Sequence, residues 1–410
     1  MIRKGTGEQD FKKIVELWFE IGWLKSKGLE DNSGLKDMLK SSDCWVYEEN
    51  GKIEATAFGI PGEINYLNEK LSFHGLSGVV VSPVARKEGL ASRLVTQSIT
   101  ESYHQGTAVS GLLMFEQGYY NYLGYGTGSY DHVFTFDPSY LNVDLNPDRP
   151  SRISKDDWKE VHRALLNRKP YHGAVSLLPA RISKDKLAWS DQAYGLGYYN
   201  EDGELTHFLW LDRDKGSSHG PLRVEFMAFE NHKQFLELLA VLKNLSDQIY
   251  AVRMKEPADI QLQDYIKYPR KQNKRSDSKF GYNSRVFADW QIRILNLEKA
   301  IGASRFTGSP LKFNLELYDP LERYLEGSDW QGLSGNYQLE LGEQSLIKDV
   351  RNSELPTLRA DINSFSRLWL GVLKPSVLAL NQELSAPKEL LDDLDRKFVT
   401  IPKPSMEWEF

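Results

Sequence analysis

The stretch Val79-Val80-Val81-Ser82-Pro83-Val84-Ala85-Arg86-Lys87-Glu88-Gly89-Leu90-Ala91 sets a β-branched run directly before Arg-x-x-Gly-x-Ala and the start of a helical pattern. A helix that begins there aims unpaired backbone N–H groups at an incoming anion, a phosphate above all. Gly89 and Ala91 keep Cβ bulk out of the way, Arg86 and Lys87 add positive charge, and Glu88, unfavourable beside an anion, is expected to face solvent. Read alone, so short a pattern also fits an ordinary strand-to-helix turn. A second stretch, Gly118-Tyr119-Tyr120-Asn121-Tyr122-Leu123-Gly124-Tyr125-Gly126, holds four tyrosines in seven positions. It fits a packed aromatic cluster as well as a reactive phenol, for which Tyr125, between two glycines expected to expose it, is the candidate. The chain ends Met406-Glu407-Trp408-Glu409-Phe410, and two aromatics in the last three residues predict a docked tail rather than a frayed one. A docked tail delivers the α-carboxylate and Glu409 to a specific place.

The elements that must position these residues read as mixed α/β. Ile14, Val15, Leu17, Trp18, Ile21 and Trp23 recur at helical spacing. Asn50-Gly51 between Cys44–Tyr47 and Ile53–Phe58 predicts a tight hairpin, since both turn residues tolerate positive φ. Leu76–Val81 reads as a buried strand, followed after Pro83 by a helix from about Gly89 to Tyr103. Beyond Pro147–Pro150 the order recurs: a hairpin pattern at Tyr198–Leu205, a strand at Leu222–Phe229, then a helix through Phe235–Leu242, which suggests a duplication. A third pattern places strands at 286–297, 311–318 and 335–341 before a helix at 362–373, capped by Asp361 or Asn363.

Composition narrows the class. At roughly 150 residues per domain, 410 residues predict two to three domains. The net charge of −6, from 51 basic and 57 acidic residues, argues against a nucleic-acid binder and slightly favours a cationic substrate. The basic stretch Lys267–Lys279 reads as a solvated linker. No apolar run approaches the roughly 20 residues of a membrane span, and the polar start at Met1–Gly5 predicts no signal peptide, so a cytoplasmic protein is expected. Cys44 is the single cysteine, which excludes an intrachain disulfide and a cysteine zinc site. The eight histidines include no His-x-x-x-His pair, Gly195-Leu196-Gly197 lacks the third glycine of a dinucleotide loop, and no Gly-x-Ser-x-Gly elbow occurs.

The strand–loop–helix segment resembles motif A of the GNAT acetyltransferases, whose Gln/Arg-x-x-Gly-x-Gly/Ala loop holds the acetyl-CoA pyrophosphate. That resemblance implies acetyl-CoA as cosubstrate and no metal. It assigns Val79, Val80 and Val81 to the pantetheine arm and Arg86, Lys87, Glu88, Gly89, Leu90 and Ala91 to the pyrophosphate, with Ser92, Tyr120 and Asn121 grouped at the cofactor. It also implies a tyrosine that protonates the departing thiolate, expected here at Tyr125; a phenol near pKa 10 must be matched by its surroundings to a thiol near 8.5. The second unit carries Phe229-Glu230-Asn231-His232-Lys233-Gln234 where the loop belongs, so it keeps the fold without the cofactor.

The whole layout resembles the Eis (enhanced intracellular survival) family. The implied fold is α/β and α+β: two tandem GNAT-fold domains, each a mixed central sheet flanked by helices, plus a C-terminal sterol-carrier-protein-like α+β domain. The expected boundaries are 1–145 for the active domain, 146–285 for the degenerate one and 286–410 for the last, whose start is read at Trp290–Leu297. The resemblance implies that the α-carboxylate of Phe410 is the general base, that Glu409 helps hold a cationic amine, and that the chain forms a homo-oligomer, hexamers being common. Glu20, Trp23 and Asp31 lie in the region where the family places further pocket residues. The expected reaction is direct transfer to a primary amine, of an aminoglycoside-like polyamine or a protein lysine, because Cys44 lies in a strand rather than beside a base. The alternative is a lipid- or ligand-binding scaffold that uses the sterol-carrier-like domain.

Overall fold

The structure is a computed structural model and describes residues 1–29, 32–213, 218–269, 281–381 and 383–408. The chain forms two compact units: Met1–Ser129 with His172–Pro179 and Asp289–Phe410, and Tyr130–Tyr171 with Ala180–Ala288. Units and chain order therefore differ from the cuts expected after residues 145 and 285. Strand pairing is the reason: Asp131–Phe136 pairs with Val252–Lys255, and Trp290–Ile294 pairs with Val109–Leu113. Trp290–Leu297, read as the opening of a last domain, begins instead with a strand of the first sheet.

In the first unit the elements run β1 (Ile2–Lys4), α1 (Gly7–Glu20), α2 (Ser33–Ser41), β2 (Asp43–Glu49), β3 (Lys52–Tyr66), β4 (Glu69–Val81), α3 (Leu90–His104), β5 (Val109–Leu113), α4 (Gln117–Asn121) and β6 (Gly126–Thr127). The sheet order is β1-β2-β3-β4-β5, then Trp290–Ile294, then β6, with Val175–Leu177 added on β3. Asn50 and Gly51 form the expected two-residue turn, with φ of 49° and 77°. The helices cover both faces. Phe11, Ile14, Val15 and Leu17 of α1 pack with Val46, Phe58 and Val80, while Leu90 and Leu94 of α3 pack with Ala55, Ala57, Val79 and Val81. The alternation of β4 side chains sends Val80 to one layer and its neighbours to the other.

Strands β1 to β4 are antiparallel, whereas β4 and β5 are parallel, with α3 as the crossover. That parallel pairing is short: Phe73–Gly75 meets Val109–Gly111 and goes no further. Beyond it β4 bulges. Thr56 pairs with Val80 but Phe58 pairs with Ser77, so one residue of β3 faces Gly78 and Val79 together. Gly78 sits at φ 57°, and a Cβ there would lie 2.6 Å from Phe58. The bulge is pinned by Thr56 Oγ1, which donates to the Gly78 carbonyl at 2.8 Å and accepts from Trp18 Nε1 at 3.2 Å. The edge of Leu76–Val81 that faces β5 is left without a strand partner.

The rest of the first unit holds a five-stranded sheet ordered Leu346–Lys348, Gly335–Leu341, Leu311–Tyr318, Thr357–Asp361, Leu384–Ser385, with the helix Ile362–Trp369 following. Asp361 caps that helix by accepting from the Ser364 N–H at 2.8 Å. Buried contacts join this part to the first sheet. Tyr66 stacks on Trp369 at 4.3 Å, and Arg293, fully enclosed, forms a two-pronged ion pair with Asp319 while donating to the Leu123 carbonyl at 3.0 Å. The second unit is a seven-stranded sheet in which Leu222–Ala228 and Val252–Lys255 alone run parallel, with the helix His232–Asn244 between them. This repeats the β4-α3-β5 connection. No helix among the described residues is long and apolar enough to cross a membrane.

Removing one partner of a fully buried ion pair typically costs about 3–5 kcal/mol, because the other charge stays buried and alone. Asp319→Ala is therefore expected to make the first unit unfold earlier in urea by an amount of that order. An unchanged transition would mean that Arg293 finds another partner.

Candidate active site

Two chain features open one region of the first unit to a ligand. The first is the unpaired β4 edge. The second is the start of α3, where Gly89 is the N-cap at φ 74° and no side chain caps the first turn. A Cβ on Gly89 would touch nothing within 4 Å, so the residue is required for its backbone conformation and not for space. Lys87 is also left-handed, at φ 68°, an uncommon and strained choice for a lysine that keeps the loop tight. Arg86, Lys87, Glu88 and Gly89 are all exposed, Leu90 is buried and offers only its backbone, and Ala91 is half-buried. Val79 and Val81 are half-buried and Val80 is enclosed. Free N–H groups, a helix dipole and Arg86 and Lys87 beside it suit a phosphate. The matching helix of the second unit is closed: Asn231 accepts from the Gln234 N–H at 3.1 Å, and the Gln234 side chain accepts from the Glu230 N–H at 2.6 Å. Its own side chains occupy the donors that an anion would need.

The tyrosine cluster packs beside the start of α3. Tyr119 Oη and Ser92 Oγ share a hydrogen bond at 3.2 Å, and burial pushes the Tyr119 phenol up to about 12. Tyr125 is not exposed, as the sequence suggested, but wholly enclosed. Its hydroxyl shares a 2.7 Å hydrogen bond with Ser110 Oγ, and burial raises its pKa to about 12. The flanking glycines are there for other reasons. A Cβ on Gly124 would lie 1.7 Å from Arg293 Nη1, and one on Gly126 would lie 2.3 Å from the Asn363 carbonyl. Tyr120 differs: its ring is edge-on to Tyr125 with centroids 6.1 Å apart, and among the described residues its hydroxyl has no hydrogen-bond partner. Burial raises its pKa too. Asn121 holds the loop, accepting from Gln291 Nε2 at 2.6 Å and, through its carbonyl, from Asn363 Nδ2 at 2.8 Å.

Several residues that the sequence did not assign to the site complete this region. Asn363, considered as a helix cap, donates instead to the Asn121 and Tyr125 carbonyls. His74, with one ring nitrogen at 2.8 Å from Ser110 and the other at 2.9 Å from Ser98, is fully buried, and burial lowers its pKa to about 4. A conspicuous glycine, Gly59, signals it: a Cβ there would lie 2.4 Å from His74 Nε2. The C-terminal tail docks as expected as far as it is described. Ser405 N–H donates to the His172 carbonyl at 3.0 Å, Val175 N–H donates to the Met406 carbonyl at 3.0 Å, and Met406 and Trp408 are buried. Met406 Cε lies 3.0 Å from the Cβ position of Gly111, next to Ser110. Glu409 and Phe410 lie outside the described residues, as does Asp31. Trp23 is edge-on to Trp18, at 5.2 Å. Cys44 is buried in β2, and burial drives its thiol pKa upward.

The part of the chain that carries the split sheet and open helix start is similar to known proteins. Residues 2–128 match the family model of the acetyltransferase (GNAT) domain. The chain carries a GNAT acetyltransferase domain and is an N-acetyltransferase by that domain, which implies acetyl-CoA as its cosubstrate. It is 23% identical over 348 residues to an uncharacterised N-acetyltransferase of Streptomyces avermitilis, covering 79% of this chain and 77% of that one. Its fold is similar over its full length to three solved proteins. They are a probable N-acyltransferase of Enterococcus faecalis (TM-score 0.81, 17% identity, 99% of that chain), a GCN5-related N-acetyltransferase of Anabaena variabilis (0.79, 17%, 100%) and Eis1 of Mycobacterium abscessus (0.79, 15%, 100%).

The His74 environment makes a pH prediction. In the unfolded chain its imidazole takes a proton below about pH 6.5, whereas the folded protein withholds it until about 4. The unfolded state thus binds more protons in that window, and stability falls with falling pH by up to roughly 3 kcal/mol. Urea unfolding between pH 7 and pH 4 should show a steeper loss for the native chain than for His74→Phe. Equal slopes would contradict a neutral, buried His74.

Proposed function

We propose that this chain is an acetyl-CoA-dependent N-acetyltransferase of the Eis type, which acetylates primary amines of aminoglycoside-like polyamines or of protein lysines by direct transfer. The observation that carries the reading is the unpaired β4 edge followed, after the loop 82–89, by the uncapped start of α3. An extended arm with amide groups fits the first, and a pyrophosphate fits the second. On this reading the backbone of Val79–Val81 pairs with the pantetheine arm and polarises the thioester carbonyl. The N–H groups at Gly89–Ser92, with Arg86 and Lys87, hold the pyrophosphate. Cys44, deep in the core with its thiol held protonated, is no acyl carrier, which favours direct transfer over a covalent relay.

The base is the α-carboxylate of Phe410, and Glu409 holds the cationic amine. Support comes from the docked tail, since Met406, four residues before the end, already lies against Gly111. For the acid, the engagement of the Tyr125 hydroxyl by Ser110 moves the assignment to Tyr120, although both rings are buried. A donor must direct its O–H at the sulfur, and the Tyr120 hydroxyl has no competing partner among the described residues. The architecture is then two tandem GNAT folds, the second degenerate, and a sterol-carrier-like part that carries the tail. Cytoplasmic location and assembly into homo-oligomers belong to the same reading.

Thiol release from acetyl-CoA, followed with a panel of aminoglycosides and lysine peptides, is the test. Tyr120→Phe is expected to lower kcat by about 10²-fold, the usual worth of a positioned general acid, with acetyl-CoA affinity unchanged. Deleting Phe410 is expected to cut turnover while CoA still binds. Wild-type turnover in both variants would overturn the assigned acid and base.

A further inference from the structure

His74 and Ser110 are register partners in the short parallel ladder between β4 and β5, one step before the two strands part. Their side chains are joined as well as their backbones. Ser110 Oγ lies 2.8 Å from His74 Nδ1 and donates to the His74 carbonyl at 3.1 Å. From the same serine the chain of hydrogen bonds continues to Tyr125 Oη at 2.7 Å, and from the far side of the imidazole to Ser98 Oγ at 2.9 Å. All four residues are almost wholly buried. One imidazole therefore ties together four elements: β4, β5, the helix α3 whose first turn faces the ligand, and the loop after α4.

We propose that His74 is a positioning residue that, through Ser110 and Tyr125, holds Tyr120 in line with the cosubstrate sulfur. The proposal rests on the reading of Tyr120 as proton donor. Tyr125 reaches Tyr120 in two ways: its N–H donates to the Tyr120 carbonyl at 3.2 Å, and its ring packs edge-on against the Tyr120 ring. Arg293 and Asn363 hold the same loop from behind, by accepting none of its protons and donating to the Leu123, Asn121 and Tyr125 carbonyls. The hydroxyl of Tyr125 then links this loop to the strand junction where the sheet opens.

The chemistry of the chain suits a fixed support rather than a proton wire. A neutral imidazole offers one N–H and one bare nitrogen: with the Ser110 proton given to the His74 carbonyl, Nδ1–H donates to Ser110 Oγ, and the Ser98 hydroxyl donates to the bare Nε2. The chain ends at Ser98, itself buried, so no proton passes through it to solvent. Burial keeps the imidazole uncharged well below neutral pH, so its hydrogen bonds persist through the range in which an amine substrate is acetylated. Gly59 leaves the room for the ring, since any side chain on that position of β3 would displace it.

Steady-state kinetics on the full chain, with single and paired variants, tests this. Ser110→Ala removes the link to Tyr125 while deleting a single oxygen atom, and His74→Phe keeps the ring's bulk without its nitrogens. Each is expected to lower kcat roughly tenfold, as a small misplacement of a reacting group does, with KM for acetyl-CoA unchanged. The decisive readout is the cycle with Tyr120→Phe: a support that acts through Tyr120 costs nothing further once that hydroxyl is gone. Loss of kcat in Ser110→Ala that disappears on the Tyr120→Phe background supports the proposal. Additive losses, or wild-type kcat in Ser110→Ala, overturn it and leave the acid assignment standing. Wild-type kcat in Tyr120→Phe overturns both. Should His74→Phe fail to fold, Ser110→Ala alone decides.

Discussion

Strands β4 and β5 share hydrogen bonds only from Phe73–Gly75 to Val109–Gly111, and the bulge at Gly78–Val79 then turns β4 away. A parallel pair that stayed zipped would leave no backbone for a ligand, whereas one that never met would leave the sheet without a centre. The unpaired N–H and C=O groups of Leu76–Val81 are costly to bury without partners, and an extended, amide-bearing ligand offers them. The other edge of β5 is not lost, because Trp290–Ile294 pairs along its whole length. The opening is thereby confined to the facing edges of β4 and β5.

Around this split the remaining parts have single physical jobs. The left-handed Gly89 starts α3 with its first N–H groups free, at the end of the short loop that follows the strand that opens. Thr56 and Trp18 fix the bulge from one layer, and the His74–Ser110 pair fixes the junction from the other. The Arg293–Asp319 ion pair and Asn363 carry the tyrosine loop on residues drawn from the last third of the chain. The second unit repeats the connection of strand, helix and parallel strand but caps its helix with Asn231, so the same topology appears there with its anion donors occupied.

What the sequence made legible was local. The Asn50-Gly51 turn, the strand into Val81, the helix after Gly89 and the Asp361 cap each depend on neighbours a few residues away, and each formed where expected. The errors share a cause in distance along the chain. Gly124 and Gly126 looked like devices to expose Tyr125, yet they make room for Arg293 and Asn363, residues far away in sequence. Trp290–Ile294 reads as the first strand of a new domain, because nothing local reveals that its partner is Val109–Leu113. His74 passed unnoticed among scattered histidines, although Gly59 in the middle of the long strand β3 was a trace of it. The tail was legible from its aromatics, and Met406 and Trp408 are indeed buried.

The central claim is that acetyl-CoA completes the sheet by occupying the gap between β4 and β5. Amide hydrogen exchange with and without CoA addresses it directly, with no assumption about the acceptor. The account predicts protection of amides within Leu76–Val81 and at Gly89–Ser92 when CoA is added, with the corresponding strand and helix start of the second unit, Leu222–Ala228 and His232–Gln234, unaffected. Protection confined to the second unit, or none in β4 at saturating CoA, would contradict it.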